Sequence, residues 1–279
     1  MIKKILVALD PDSDTPIATQ YAIDIAKRFD AEVTGLAVID MGSIKDSARG
    51  GGIGSMYYAE KLRAKLTTDA RLKARELMNA FDEAMEDSGV RFVETVEEGV
   101  PFMRIVEDMK YHDLLVIGRD PHFFYSHPKQ ETDTLARTVK NTIGPSLVVG
   151  TEFKPVERIL IAFDGSNAAA RAVRRLVHLR PFGEEVKVEV IHVHKDEPKE
   201  SELVLQLEQA YLRAHGIRAQ TASLQGDSPE SEIVSYATQY GADIVVAGAH
   251  SVSKLREVAF GSTTAALLKD CPVPLFIDN

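Results

Sequence analysis

The sequence contains a single cysteine, Cys271, and no tryptophan. One cysteine excludes an internal disulfide framework and a metal cluster built on thiolates, and it fits a reducing compartment. No apolar run approaches the roughly 18 residues needed to cross a membrane, and the first residues enter a short apolar strand rather than a signal segment. We therefore expect a cytoplasmic protein without membrane insertion.

An excess of basic residues is also missing. The chain has 33 Lys and Arg against 42 Asp and Glu, for a formal net charge of −9. This balance provides no electrostatic footprint for a nucleic-acid backbone, so nucleic acid is not expected as a partner. With 279 residues, of which 44% are hydrophobic, the chain is long enough for two domains with cores of their own.

Two pairs of segments repeat along the chain. Residues 5–10 read ILVALD and residues 159–164 read ILIAFD. The second pair is DLLVIG at 113–118 and DIVVAG at 243–248. The order of the two pairs is the same in each half, which predicts two successive domains built on one plan.

Short runs rich in Val, Ile and Leu alternate with amphipathic stretches, which is typical of a parallel sheet covered by helices. Strands are predicted at 4–9, 33–39, 114–117, 146–149, 157–163, 186–193, 218–224, 243–247 and 273–277. Helices are predicted at 15–28, 57–88, 167–179, 200–215, 229–240 and 261–270. The predicted fold class is α/β, with two tandem doubly wound, Rossmann-like domains at 1–150 and 156–279, each with five parallel strands in the order 3-2-1-4-5.

In such a sheet, ligands bind beyond the carboxyl ends of the strands, where the strand order reverses. In the second half, Asp164 ends strand 1 and Gly248 ends strand 4, so both are expected at one crevice. Further along, Gly261, Ser262 and Thr263 open a helix. A helix N-terminus with small and hydroxyl-bearing residues favours a bound anion.

These residues follow a recognisable spacing. Gly248-x2-Ser251-x9-Gly261-Ser262 resembles the nucleotide signature of the universal stress protein family, Gly-x2-Gly-x9-Gly-Ser/Thr, with Ser251 in place of the second glycine. With Asp164 on strand 1 and the internal repeat, the chain resembles a tandem universal stress protein over nearly its whole length. The competing interpretation is that Gly248 merely ends a strand and Gly261 and Ser262 merely cap a helix.

The resemblance implies that the second half holds ATP, with or without Mg²⁺. The residues implied to surround it, from adenine through ribose to phosphates, are Asp164, Val193, Gly248, Ser251, Gly261, Ser262 and Thr263. His250 lies in the same loop, where it either contacts a phosphate or is exposed without a role. No other metal site is predicted, because His192 and His194 have no carboxylate at a convincing spacing.

The first half keeps Asp10 and Gly118 but departs from the signature. Residues 132–134 read Thr-Asp-Thr where the phosphate-binding turn is expected, and a carboxylate at a helix N-cap repels phosphate. We expect this half to bind ATP poorly or not at all. An aromatic and histidine cluster is either a loop folded over the degenerate site, a partner surface or a different ligand pocket. Its members are His122, Phe123, Phe124, Tyr125 and His127.

The resemblance implies a stress-response or regulatory protein that binds one ATP in its C-terminal domain and acts through ligand occupancy and an unidentified protein partner. One alternative is a nucleotide-free interaction protein that uses the helix at 57–88 or the loop at 119–131. Another is a weak ATPase, although no catalytic residue is evident from the spacing. A pyrophosphate-splitting ligase is disfavoured, because Asp164-Gly165-Ser166-Asn167 is not a pyrophosphate loop.

The resemblance also implies how the halves associate. The last strands of the two halves, at 147–149 and 275–277, are expected to pair and make the chain a pseudo-dimer. Pairing also removes two apolar sheet edges, which are otherwise sites of aggregation. Further association into a homodimer stays open.

Overall fold

The computed structural model of the protein describes residues 1–11, 14–42, 44, 55–119, 121, 123, 134–249 and 262–279. The chain divides into two compact units by its internal contacts. We call Lys3–Thr138 the N-terminal unit, and Val139–Asn279 together with Met1–Ile2 the C-terminal unit. None of the helices within these described ranges is long and apolar enough to span a membrane.

The N-terminal unit contains a parallel sheet in the order β3-β2-β1-β4. Its strands are β1 (Lys4–Leu9), β2 (Glu32–Asp40), β3 (Phe92–Gly99) and β4 (Leu114–Gly118). The helices are α1 (Asp14–Phe29), α2 (Ser55–Ser88), α3 (Pro101–Asp108) and α4 (Thr134–Asn141), of which α4 begins in this unit. The side chains of β1 from Ile5 to Leu9 are all buried, as expected for a central strand covered on both faces.

The C-terminal unit contains five parallel strands in the order β8-β7-β6-β9-β10 and a sixth, β5, antiparallel to β10. The strands are β5 (Ser146–Val149), β6 (Arg158–Ala162), β7 (Lys187–His194), β8 (Ala219–Gln225), β9 (Ile244–Gly248) and β10 (Leu275–Asp278). The helices are α5 (Asn167–Leu179), α6 (Pro198–Ala214), α7 (Pro229–Tyr240) and α8 (Ser262–Asp270). Cys271, which follows α8, is a buried free thiol.

The predicted fold class is confirmed. All five parallel strands of the C-terminal unit follow the order 3-2-1-4-5, and the four strands of the N-terminal unit follow 3-2-1-4. The sequence patterns did not predict β3, which among the described strands of its unit borders only β2 and leaves Val93 and Val96 exposed. A strand with exposed and half-buried residues lacks the continuous apolar run by which buried parallel strands are recognised.

The predicted pairing of the two last strands is present. Leu275 lies opposite Val148 and Phe276 lies opposite Leu147 in an antiparallel ladder. Because β5 pairs with β10, it belongs to the C-terminal unit, and the contact boundary lies between Thr138 and Val139. The predicted domain limits follow the sequence repeat, whereas the contact boundary follows this strand pairing.

Candidate functional site

A pocket opens at the carboxyl ends of β6, β7 and β9 in the C-terminal unit. It encloses about 210 Å³ among the described residues. Its apolar lining residues include Ala162, Ile191, Val193, Ile233, Ala247 and Leu267. Its polar lining residues are Asp164, Ser166, Ser262, Thr263 and Thr264. We call it the strand-end pocket, and its place is where open α/β sheets bind ligands.

The turn after β6 brings a carboxylate to this pocket. Oδ1 of Asp164 accepts a hydrogen bond from the backbone N–H of Ser166 at 2.9 Å, and Gly165 between them has a φ of 74°. Oγ of Ser166 in turn accepts from the N–H of Ala169 at 3.1 Å and caps α5. Asp164 itself stays exposed. The turn therefore serves the fold through Ser166 and leaves Asp164 available to a ligand.

Gly248 has a clear structural reason to be glycine. A Cβ placed on it would lie 2.3 Å from the backbone N of Ala169 and 2.5 Å from the backbone carbon of Ala168. The end of β9 therefore approaches the first turn of α5 more closely than any side chain permits. Oγ1 of Thr264 donates to the carbonyl oxygen of Gly248 at 3.1 Å and ties the start of α8 to the same point. The ends of three elements thus meet at Gly248.

The start of α8 supplies groups that suit an anion. Ser262 is exposed and Thr263 is half-buried, and both line the strand-end pocket. The first N–H groups of a helix have no intrahelical partner, and the helix dipole is positive at this end. A phosphate at this end of the pocket would meet hydroxyl and backbone donors together.

The structure brings most of the predicted site residues together. Asp164, Val193, Gly248, Ser262 and Thr263 line one pocket. The other predicted site residues, His250, Ser251 and Gly261, lie outside the described residues.

The sequence reasoning missed part of the apolar wall. Ile191 lies two residues before Val193 on β7, so the alternation of a strand was sufficient to place both on one face. Pro229 and Ile233 come from α7, which follows β8 in the chain and meets the pocket only through tertiary packing.

The two histidines of β7 alternate with the pocket residues of that strand. A ring nitrogen of His192, Nδ1, lies 2.9 Å from Oγ of Ser201 on α6. Burial lowers the pKa of His192, and the neighbouring His194 lowers it further. Neither histidine lines the strand-end pocket, and the described residues contain no group of three metal-ligating side chains.

The corresponding crevice of the N-terminal unit is occupied by its own chain. Asp10 is 3% exposed, and its Oδ2 accepts the backbone N–H of Phe123 at 2.5 Å. Phe123 is 1% exposed and has a φ of 29°, which is uncommon for a bulky residue. Oδ2 of Asp14 accepts the N–H of Arg119 at 3.1 Å. The rest of the predicted cluster, His122, Phe124, Tyr125 and His127, and residues 132–133 lie outside the described residues.

Comparison with known proteins gives one family. The model of the universal stress protein family matches residues 1–126 and 155–278. The chain is 23% identical over 288 residues to a universal stress protein of Synechocystis sp., covering 98% of this chain and 99% of the relative. It is 24% identical over 143 residues to one of Bacillus subtilis, covering 42% of this chain and 95% of the relative.

Solved structures share the fold. The crystal structure of a universal stress protein from Archaeoglobus fulgidus superposes with a TM-score of 0.71 at 18% identity, covering 99% of this chain and 96% of the other. A functionally unknown protein from Pseudomonas aeruginosa superposes with a TM-score of 0.65 at 14% identity, covering 99% and 92%. At these identities the likeness concerns the fold alone.

Proposed function

The chain belongs to the universal stress protein family, and we propose that it is a cytoplasmic regulatory protein whose C-terminal unit binds one ATP. The observation that carries the proposal is the strand-end pocket, where five residues of the predicted site meet. It joins an apolar slot, an exposed carboxylate and a helix N-terminus, which suit a base, its polar edge and its phosphates respectively.

The apolar end of the pocket fits an adenine ring. Ile191 and Val193 of β7 and Ile233 of α7 provide walls on which a flat ring can be buried. The carboxylate of Asp164 is an acceptor for the amino group of the base, because only Oδ1 is used by the turn among the described residues.

The other end of the pocket fits the phosphates. Ser262 and Thr263 provide hydroxyl groups beside the free N–H groups at the start of α8. Thr264 fixes this helix start against Gly248, so the donors are held in place before a ligand arrives. If Mg²⁺ accompanies ATP, phosphate oxygens would supply ligands, because the described residues contain no group of three metal-ligating side chains.

We propose that occupancy of the pocket, rather than turnover, is the signal. The described groups at the phosphate end are hydroxyls, which bind a phosphate but do not take up a proton at neutral pH. Any hydrolysis of ATP is therefore expected to be slow. The N-terminal unit takes no nucleotide, because Phe123 already satisfies Asp10.

The variant Ser262→Asp tests the nucleotide site. A carboxylate at the exposed first residue of α8 stabilises the helix but repels phosphate, so ATP affinity should fall about a hundredfold while the fold is kept. Adenosine, which has no phosphate, should bind the variant and the wild type equally. Isothermal titration with both ligands measures these affinities.

The matched control is Thr134→Asp at the start of α4, which should leave ATP affinity unchanged. If ATP binds Ser262→Asp as tightly as the wild type, the phosphates do not lie at α8 and the assignment is wrong. If adenosine is lost together with ATP, the change has damaged the pocket instead of repelling a phosphate.

An interaction protein without nucleotide is the second candidate function. It is favoured by the start of α2, where Tyr57, Tyr58 and Leu62 are exposed and the two tyrosine rings meet edge to face. Under this alternative, Tyr57→Ser with Tyr58→Ser should abolish the response of cells to stress even though the purified protein binds no ATP. Tight ATP binding that Ser262→Asp removes would decide against it.

A further inference from the structure

A second pocket of the C-terminal unit lies between α5 and α6 and encloses about 330 Å³. This volume falls within the roughly 300–1,000 Å³ of small-molecule sites. Its apolar lining residues include Phe163, Val204, Leu207 and Tyr211. Arg174 and Glu208 also line it. We call it the interhelical pocket, and nothing in the proposed nucleotide function uses it.

Glu208 is the unusual residue of this pocket. Its side chain belongs to a residue that is only 7% exposed, and its Oε1 has no hydrogen-bond partner among the described residues. Burial raises the pKa of Glu208 to about 7, against a smaller lowering by the positive charge of Arg174. A buried acceptor without a donor is costly to the fold. The protein therefore keeps at this place a group that folding alone disfavours.

The N-terminal unit shows that the fold does not need a carboxyl group here. Glu208 and Phe81 each stand eight residues before the left-handed glycine that follows their helix, Gly216 and Gly89 respectively. The neighbouring buried positions share one spacing in both helices, which are Ala74, Met78 and Met85 in α2 and Ser201, Leu205 and Leu212 in α6.

The aligned position is filled in one unit and open in the other. Phe81 is buried, and a Cβ on Gly35 of β2 would lie 2.6 Å from its ring. In the strand register of the C-terminal unit, Val190 stands where β2 has Gly35. In the C-terminal unit the residue at the aligned helix position, Glu208, lines the interhelical pocket. The same helix position therefore holds a buried ring in the N-terminal unit and a buried carboxyl group in the C-terminal unit.

Arg174 carries the opposite charge and lines the same pocket, but among the described residues it does not form an ion pair with Glu208. It is exposed on α5, and no ion pair joins it to Glu208 in the described parts of the chain. The two charged groups are near enough for the charge of Arg174 to act on Glu208. The pocket is therefore lined by a buried carboxyl group, an exposed cation and an apolar wall, and no ion pair joins the two charged groups in the described parts of the chain.

We propose that the interhelical pocket binds a small apolar α-amino acid in its zwitterionic form. The ammonium group donates to Glu208, the carboxylate accepts from Arg174, and the hydrocarbon side chain lies along Val204 and Leu207. A ligand with only one of the two charges would leave either Glu208 unpaired or Arg174 unused. This site is independent of the nucleotide proposal, although Phe163 lines both pockets.

The test compares three probes that share a phenyl ring: L-phenylalanine, 3-phenylpropanoate without the amine, and 2-phenylethylamine without the carboxylate. At about pH 8, where Glu208 is mostly ionised, titration followed by NMR should show L-phenylalanine binding about tenfold more tightly than either fragment. Glu208→Gln should remove the advantage over 3-phenylpropanoate. Arg174→Gln should remove the advantage over 2-phenylethylamine.

Leu207→Ser, at a side chain that is 64% exposed, should weaken all three probes without threatening the fold. A thermal unfolding curve for each variant checks that the fold is kept. The proposal is overturned if a fragment matches L-phenylalanine, if neither charge variant changes the ratios, or if nothing binds at millimolar concentration. Displacement of L-phenylalanine by ATP would also overturn it, by placing the probe in the strand-end pocket.

Discussion

Asp10 and Asp164 occupy the same place in the two sequence repeats, one residue after β1 and two residues after β6, but their surroundings are opposite. Asp10 is buried and accepts a backbone N–H from Phe123, whereas Asp164 is exposed and lines a pocket. The same carboxylate therefore serves the fold in one unit and is available to a ligand in the other. A duplicated aspartate alone does not indicate a duplicated site.

Phe81 and Glu208 extend the comparison to a second position. In α2 a ring completes the core, and in α6 a carboxyl group takes its place beside a pocket. Residues that the shared fold requires, such as Gly118 and Gly248 at close approaches, are kept in both halves. The two units differ at Asp164, which lacks the buried hydrogen bond of Asp10, and at Glu208, which lies beside a pocket where α2 has a buried ring. We expect ligands at these two places.

The largest effect on stability should come from exchanging a polar for an apolar side chain, or the reverse, at Phe81 and Glu208. Phe81→Glu removes a buried ring and buries a charge, so the N-terminal unit should lose at least about 4 kcal/mol of stability. Glu208→Met, of similar volume, should change stability by no more than about 1 kcal/mol, in the stabilising direction near neutral pH. Denaturant unfolding, with hydrogen exchange to assign the loss to a unit, measures both. Equal losses would mean that Glu208 has a structural role.

The two strand-end glycines provide a smaller difference. Gly248→Ala forces a methyl group against the backbone of Ala169 and should cost about 3 kcal/mol. Gly118→Ala meets mainly the side chain of Asp14, with 2.8 Å to its Cβ, and should cost about 1–2 kcal/mol. Thermal unfolding of the two variants under one condition gives the order, and the reverse order would contradict the packing at Gly248.

The aspartates themselves come next. Asp10→Ala leaves the buried N–H of Phe123 without an acceptor and should cost about 2 kcal/mol, with no effect on ATP affinity. Asp164→Ala should cost less than about 0.5 kcal/mol, because the hydrogen bond it loses is exposed. It should instead weaken ATP about tenfold by removing an acceptor for the base. Loss of ATP binding in Asp10→Ala would place the nucleotide in the N-terminal unit and contradict the proposal.

The last expected effect is the pH dependence that Glu208 gives the C-terminal unit. The pKa of Glu208 is about 7 in the folded protein and near 4.5 when unfolded, so its contribution to stability is present below about pH 4.5 and is lost as pH rises through 7. Glu208→Gln should remove this loss and be about 1 kcal/mol more stable than the wild type at about pH 8. Urea unfolding at about pH 5 and pH 8 measures it. If the stability difference between Glu208→Gln and the wild type is the same at both pH values, Glu208 does not titrate between them.

Most of the sheet was predictable because its central strands are buried on both faces and leave continuous apolar runs. The crevice between Asp164 and Gly248 followed from topology alone, since parallel strands end at the same edge. The edge strand β3 was missed, because half of its residues are exposed and its apolar residues are few.

The remainder of the site depends on contacts that no local pattern contains. The packing of Ile233 against the pocket and the hydrogen bond from Phe123 to Asp10 join distant parts of the sequence. Glu208 resembles any surface glutamate of an amphipathic helix. Its signal appears only when the buried positions of α6 are aligned with those of α2.

The central claim is that the C-terminal unit alone holds a nucleotide. The direct measurement is the nucleotide content of freshly purified protein after denaturation, by chromatography and mass spectrometry, completed by titration with ATP and Mg²⁺. We predict about one adenine nucleotide per chain, lost in Ser262→Asp and kept in Thr134→Asp. Two nucleotides per chain would contradict the claim, and so would the absence of binding after titration with ATP and Mg²⁺. A single nucleotide that is lost in Thr134→Asp but kept in Ser262→Asp would contradict it as well.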